Sequence, residues 1–283
     1  MPVAAQETVA APETVAAPET VAAPETVVRD APIATYEPLS VTRDLFDSMP
    51  EDYRKAVIRL MAIQAYGEKM ACVLGTDWIG KAPGFRQRRV YANIVSDEAR
   101  HSALLFRELE ALGVGEVEAI DIALRGAASS TTSKSLEGPN AVGDAANEWI
   151  DIVCNLMFLD RAGRLMIENY CTSSYRPWAR ACLRILPDEA MHEAFGVSEF
   201  RALLAIGADR TMMREKATRW YAYSLNFFGP PSSHTYERLR DYGIKRSNNE
   251  EMRSAYRREC AIVMAELGAQ DLLCLVSDGY PYA

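Results

Sequence analysis

The chain has 283 residues, nearly half of them hydrophobic and a quarter charged, which is enough for a globular domain with a substantial core. Its net charge of −8 argues against nucleic acid as a partner, because phosphate backbones are bound by clustered cations. Basic residues bunch only at Arg86-Gln87-Arg88-Arg89 and Lys245-Arg246, which read as solvated helix faces, with an anionic ligand or partner as the second reading. Cys72, Cys154, Cys171, Cys182, Cys260 and Cys274 stand apart with no CxxC pair, so neither a zinc site nor a disulfide framework is expected. The amino terminus lacks a basic segment followed by an apolar one, and no stretch approaches the length of an apolar membrane span. No membrane partner is expected, and the location implied is cytoplasmic.

Residues 5–28 are four hexapeptides in tandem, the last three beginning Ala-Pro-Glu-Thr-Val. Pro12, Pro18 and Pro24 block a continuous helix, and the unit is too short and too weakly apolar to stack. Residues 1–36 therefore read as a disordered acidic tail, and 37–283 as the folded domain. From Pro50 onward the apolar spacing is helical. Tyr53, Val57, Leu60, Met61, Ala65, Glu68, Ala71 and Cys72 share one face over about 52–74. Val90, Ile94, Val95, Glu98, His101, Leu105, Leu109 and Leu112 form a second face, which Gly113 stops. Residues 125–143, rich in Ser, Thr and Gly, read as a loop. A third helix is expected from near Asp144 and presents Trp149, Ile152, Val153, Leu156, Met157, Asp160 and Ile167. After a break at Cys171 to Pro177, a fourth carries Ala181, Cys182, Ile185, Glu189, His192, Gly196, Phe200 and Leu203. Stretches near 209–227 and 248–276 complete an all-α chain.

Two of the three histidines sit in the same local pattern, Asp97-Glu98-Ala99-Arg100-His101 and Asp188-Glu189-Ala190-Met191-His192. Residues three apart lie on one helix face, so a carboxylate and an imidazole in this spacing can grip one metal ion. Both pairs fall on apolar faces, as do Glu68 and Asp160, where an unpaired charge is costly to bury. Glu68 precedes Glu98 by 30 residues and Asp160 precedes Glu189 by 29, so the same acid-then-acid–His order occurs twice. That is the ligand set of a ferritin-like four-helix bundle with two carboxylate-bridged metals, here with additional C-terminal helices. Four buried carboxylates carry −4, which two divalent cations neutralise and one does not. The alternative is buried salt bridges to Arg100, Arg161 and Arg164, which leaves both histidines unexplained. Oxygen-rich ligation with one imidazole per ion suits two iron ions, with manganese as the other possibility. Asp97 and Asp188 are placed to accept the histidine N–H and fix the tautomer, and Arg100 to hold such a carboxylate. Gly163 and Gly196 read either as the lining of an apolar pocket or as points of close helix packing. His234 reads as a loop residue without a role.

These residues carry a resemblance to the phenylacetic acid catabolic oxygenases, and within them to the catalytic A subunits of phenylacetyl-CoA epoxidases. It runs through Met49-Pro50 with Tyr53-Arg54-Lys55, Trp78-Ile79 with Lys81-Ala82-Pro83, both acid–His motifs, and Trp149 with Asp151-Ile152. Thr172-Ser173-Ser174-Tyr175 with Pro177, Phe228-Gly229-Pro230 and Ile244-Lys245-Arg246 extend it, so that it covers about residues 48–270. The resemblance implies iron ligation by Glu68, Glu98, His101, Asp160, Glu189 and His192. It implies O₂ as co-substrate, oxygen insertion into an aromatic CoA thioester, a related metal-free partner chain and a separate reductase. The chain has no GxGxxG and no cysteine cluster, so the electron donor is expected to be external. Arg59 keeps a basic residue associated with CoA, Lys245 and Arg246 are further cations for its phosphates, and Ile63 and Ala127 stand where polar and basic contacts are expected. Pro187, just ahead of Glu189, is expected to start or kink its helix. Other readings are a diiron N-oxygenase or desaturase in secondary metabolism and, from another class, iron storage or a non-catalytic assembly role; a homodimer is an alternative to the partner chain. A deletion of residues 1–36 is expected to leave metal content and melting temperature unchanged; a large drop in either, read by metal analysis and calorimetry, contradicts the tail assignment.

Overall fold

The computed structural model describes residues 40–128, 148–229, 231 and 235–273. The repeat tail, residues 129–147, His234 and Cys274 lie outside the described residues. Among the described residues the secondary structure is helical: α1 (Arg43–Phe46), α2 (Glu51–Trp78), α3 (Phe85–Glu110), α4 (Glu116–Ala128), α5 (Trp149–Cys154), a π turn (Asn155–Leu159), α6 (Asp160–Tyr170), α7 (Arg176–Ala205), α8 (Arg210–Phe227), α9 (Tyr236–Asp241) and α10 (Asn249–Glu266). The all-α bundle read from the periodicity is the fold, and no helix among the described residues is long and apolar enough to cross a membrane. The five cysteines among the described residues form no disulfide.

α2, α3, α7 and the α5–π–α6 unit make the bundle: α2 packs on α3, α3 on α7, and α7 on both α6 and the π turn. α8 packs against α5 and α6, and α10 against α6, so these are the added C-terminal helices. The Schellman bonds of Val114 N–H to Leu109 and of Ala269 N–H to Met264 end α3 and α10, with Gly113 and Gly268 at φ +79° and +62°. α10 thus stops at Glu266, short of the expected 276, and a capping box between Asn248 and Glu251 starts it. The sequence pattern missed α4, whose buried Ala119 and Ala123 belong to a helix packed on α2; residues 125–128, read as loop, are its last turn.

Two apolar cores share the bundle, and every long helix of it contributes to both. One gathers Ala65, Leu104, Leu105, Ile167 and Ile185; the other gathers Trp78, Ile94, Phe158, Ala162 and Phe195. Glu68, Glu98, His101, Glu189 and His192 fall between those two sets along their helices. The bundle is therefore a polar layer closed above and below by apolar ones.

Two local features set the backbone around this layer. The first is the π turn just before Asp160, whose extra residue rotates the succeeding helix by about 100° relative to an uninterrupted one. The second is Gly196 on α7: a Cβ there would stand 2.6 Å from Met157 N and 2.8 Å from Leu156 Cβ, so α7 lies against the backbone of the π turn. Gly196 thus serves close helix packing, the second of its two readings, rather than lining an apolar pocket. At Gly163 a Cβ would meet only Glu189 Oε2, at 3.8 Å. Pro187 neither starts nor ends α7, which runs unbroken through it. Its ring is exposed, and Leu183, whose carbonyl loses its helical partner to the proline, lies on the same exposed face. Replacing Gly196 by Ala is expected to cost about 1–3 kcal/mol in chemical denaturation, since backbone atoms must move. Gly67→Ala on an open face of α2, where an added Cβ meets nothing within 4 Å, is expected to stabilise by about 0.5–1 kcal/mol.

Candidate metal centre

All six residues singled out by spacing meet in the polar layer. Their donor atoms form two sets, each within 4.8 Å: Glu68, Glu98, His101 and Glu189 in one, and Glu98, Asp160 and His192 in the other. Glu98 belongs to both, and each set holds one imidazole. Glu98 and His101 share a set as the spacing implies. Glu189 and His192 do not, because His192 Nδ1 instead faces Glu98 Oε1 at 3.2 Å. His101 Nδ1 faces Glu189 Oε1 at 3.3 Å and Glu68 Oε2 at 3.5 Å. The two rings are 6.1 Å apart between centroids. Asp160 is half-buried as a residue, but its Oδ2 is out of reach of solvent.

The outer nitrogens are held by a crossed latch. His101 Nε2 lies 3.1 Å from Asp188 Oδ2, and His192 Nε2 lies 3.5 Å from Asp97 Oδ2. Each aspartate therefore serves the histidine of the other motif. Arg100 closes the latch, its Nη2 donating to Asp97 Oδ1 at 2.6 Å and to Asp188 Oδ2 at 3.1 Å. Burial alone would raise the Asp188 carboxyl, but the bonds from His101 and Arg100 outweigh it and hold the pKa below its ordinary value. An ionised carboxylate only accepts, so His101 Nε2 carries the proton, and in the neutral ring Nδ1 is left with its lone pair pointing inward. His101 Nδ1, His192 Nδ1, Asp160 Oδ2 and Glu189 Oε1 are all buried without a hydrogen-bond partner. Four such atoms converging on one layer fit bound cations.

Cations of the protein's own do not fill this role. Arg161 and Arg164 bind Glu193 and Glu259, and Arg100 binds the two aspartates. Among the described residues no Lys or Arg lies within ion-pair distance of Glu68, Glu98, Asp160 or Glu189, which removes the salt-bridge alternative. With protons as the only cations, burial and mutual repulsion push Glu98 and Asp160 well up and Glu189 to about 7. Burial would lower His101, but Glu189 and Glu68 raise it to about 10, while burial keeps His192 below its ordinary value. Glu68 is the exception among the acids: burial raises it, yet the protonated His101 imidazole, with Nδ1 3.5 Å from Glu68 Oε2, carries it below its ordinary value.

Sequence reasoning missed Gln64, four residues before Glu68 and so on the same face. Its Oε1 accepts from Trp178 Nε1 at 2.8 Å, which turns its Nε2 toward Glu68 Oε1 at 3.4 Å. The residues associated with substrate are not gathered. Arg59 and Arg246 are exposed, whereas Lys245 is buried against Asn249 Oδ1 at 3.2 Å, and burial lowers its pKa to about 8. Ile63 is exposed on α2, and the Ala127 side chain lies outside the described residues.

A buried layer of four carboxylates and two inward-facing imidazoles defines a helical-bundle protein with the donor set of a two-metal carboxylate site. Residues 44–271 match the phenylacetic acid catabolic protein family, and the chain belongs to it. Among its relatives, the A subunit of 1,2-phenylacetyl-CoA epoxidase from Escherichia coli (strain K12) is 28% identical over 220 residues. That match covers 74% of this chain and 66% of the relative, just under two thirds of the latter's length.

A carboxyl or imidazole whose folded pKa is raised binds more protons in the native state, so stability falls as pH rises through it. For Glu189 that window runs from its ordinary 4.5 to about 7; Glu98, Asp160 and His101 act in the same sense, and His192 opposes them only below 6.5. In the presence of a chelator the melting temperature is expected to fall between pH 5 and 8, as roughly bounded by these shifts. Adding Fe(II) or Mn(II) is expected to restore it and to release protons into a weakly buffered solution. A melting temperature that climbs with pH under chelation contradicts this charge assignment.

Proposed function

We propose that the chain is a dinuclear non-haem iron oxygenase that inserts oxygen into an aromatic acyl-CoA thioester. The observation that carries the reading is the convergence of both histidine Nδ1 atoms and four carboxylates in a layer that no lysine or arginine among the described residues neutralises. Glu68, Glu98, His101 and Glu189 would hold one ion, and Glu98, Asp160 and His192 the other. Iron held there supplies dioxygen activation: with two electrons and two protons, one oxygen atom enters the substrate and the other leaves as water.

The rest is the work of this chain's own side chains. Asp97 and Asp188 keep the Nε2 protons in place, so that both Nδ1 lone pairs stay directed inward. Gln64 orients the Glu68 carboxylate. The apolar cores on either side keep bulk water from the layer, which protects a strong oxidant from being quenched there. Membership of the phenylacetic acid catabolic family and the epoxidase activity for which the relative is named support the substrate class. Exposed Arg59 and Arg246 are available for CoA phosphates; buried Lys245 is better suited to a structural role. The electrons come from a separate reductase, and a related helical chain is the expected assembly partner.

Protein produced with iron is expected to contain two ions per chain by plasma emission spectrometry, with Glu98→Ala or His192→Ala losing metal and thermal stability together. Asp97→Asn and Asp188→Asn are expected to weaken metal binding by about 10–100-fold, each at the ion held by the opposite motif's histidine. A single zinc per chain that iron supplementation does not displace would overturn the metal assignment. For the substrate, phenylacetyl-CoA is expected to perturb the iron absorption spectrum where free phenylacetate does not; equal indifference to both would exclude the thioester.

A further inference from the structure

The two helices that carry the acid–His motifs also present outward faces built on one repeat. On α3 the exposed stripe is Arg89, Asn93, Ser96, Arg100, Ala103 and Arg107, at steps of four and three. On α7 it is Arg180, Arg184, Pro187, Met191, Ala194 and Ser198, at the same steps. These positions hold five arginines and no acid, on a chain whose net charge is −8. The stripes adjoin where Arg100 bonds Asp188. Among the described residues Arg89, Arg107, Arg180 and Arg184 have no acidic partner within ion-pair distance, so their charge is turned outward. Short side chains such as Ser96, Ala103 and Ala194 keep the surface between the cations low, and Leu183 and Met191 add exposed apolar area at 54% and 40%.

The place of this face matters as much as its charge. Arg100 is half-exposed at its centre, and two hydrogen bonds in series, Arg100 to Asp188 and Asp188 to His101, join it to an imidazole of the metal layer. A parallel route runs from Arg100 through Asp97 to His192. A protein seated here comes within two hydrogen bonds of both imidazoles. A compact acidic protein can match both the local basic face and the apolar area of Leu183 and Met191 at its middle, whereas the charged backbone of a nucleic acid offers no apolar surface to cover them.

We propose that the outer faces of α3 and α7 dock an acidic electron-carrying protein, with its redox centre opposite Arg100. The proposal rests on the two-metal reading above. Two such donors, each oxidised by one electron, would together reduce two metal ions from Fe(III) to Fe(II), and no atom is transferred. The arginines steer the encounter and Leu183 and Met191 supply the desolvated contact.

The test uses the full iron-loaded chain and a plant-type [2Fe–2S] ferredoxin as the acidic probe. Binding is read by calorimetry and electron transfer by stopped-flow oxidation of the reduced ferredoxin. Binding and transfer are expected for the unaltered chain, with a rate that falls roughly tenfold as salt is raised over the range that screens surface charge. Arg107→Glu with Arg184→Glu is expected to lower affinity and rate by at least about tenfold. Reduction by dithionite and iron content should not change, and Arg219→Glu on the exposed face of α8 should be neutral. The face is excluded if ferredoxin neither binds nor reduces the unaltered chain, or if both reversals leave transfer unchanged. It is also excluded if the reversals chiefly dissociate a dimer of this chain, which would make the face a self-interface. Failure to take up two iron ions, or to accept electrons from dithionite, instead counts against the metal reading itself, so the two failures are told apart.

Discussion

Four carboxylates at the centre of a helical bundle repel one another, and their burial denies them water. Glu98 and Asp160, with Glu189 behind, are pushed toward the protonated form when protons alone must balance the charge. Apolar replacements would fill the same space at lower cost, because desolvating a charge without a partner is expensive. The arginines nearest the layer are engaged by Glu193, Glu259, Asp97 and Asp188. A cluster left without a lysine or arginine partner, beside arginines that bind other acids, has the donor set to hold ions from outside.

Much of the surrounding structure follows from holding that cluster still. Apolar cores close the layer on both sides, so the acids cannot reach solvent by small movements. Gly196 brings α7 against the π turn, and the π turn sets the rotation at which Asp160 begins α6. The crossed latch then couples the motifs, since each histidine is held by an aspartate from the other helix and one guanidinium holds both aspartates. Moving either motif helix alone would break hydrogen bonds at both imidazoles.

The fold and the six donors are legible in the sequence because they depend on local spacing. A 3.6-residue period marks the helices, and an acid three residues before a histidine survives as a pattern whatever the helix packs on. Features that arise between helices are not legible. Nothing local says that Asp97 reaches His192 rather than His101, or that His192 groups with Glu98 instead of Glu189. The π turn is hidden because Asn155–Leu159 reads as ordinary apolar helix, and Gly196 reads equally as pocket or as contact until Met157 is seen against it. Pro187 does not start its helix: α7 runs unbroken through it, with the proline ring on the exposed face. Lys245 reads as a surface cation beside Arg246, but only Arg246 is exposed.

The most direct test of the charge argument is an anomalous-difference map from iron-loaded crystals, with data collected on both sides of the iron edge. Two iron peaks are predicted inside the bundle, one bounded by Glu68, Glu98, His101 and Glu189 and the other by Glu98, Asp160 and His192, with Glu98 between them. A single peak, or iron bound only at surface carboxylates with the layer protonated instead, would contradict it.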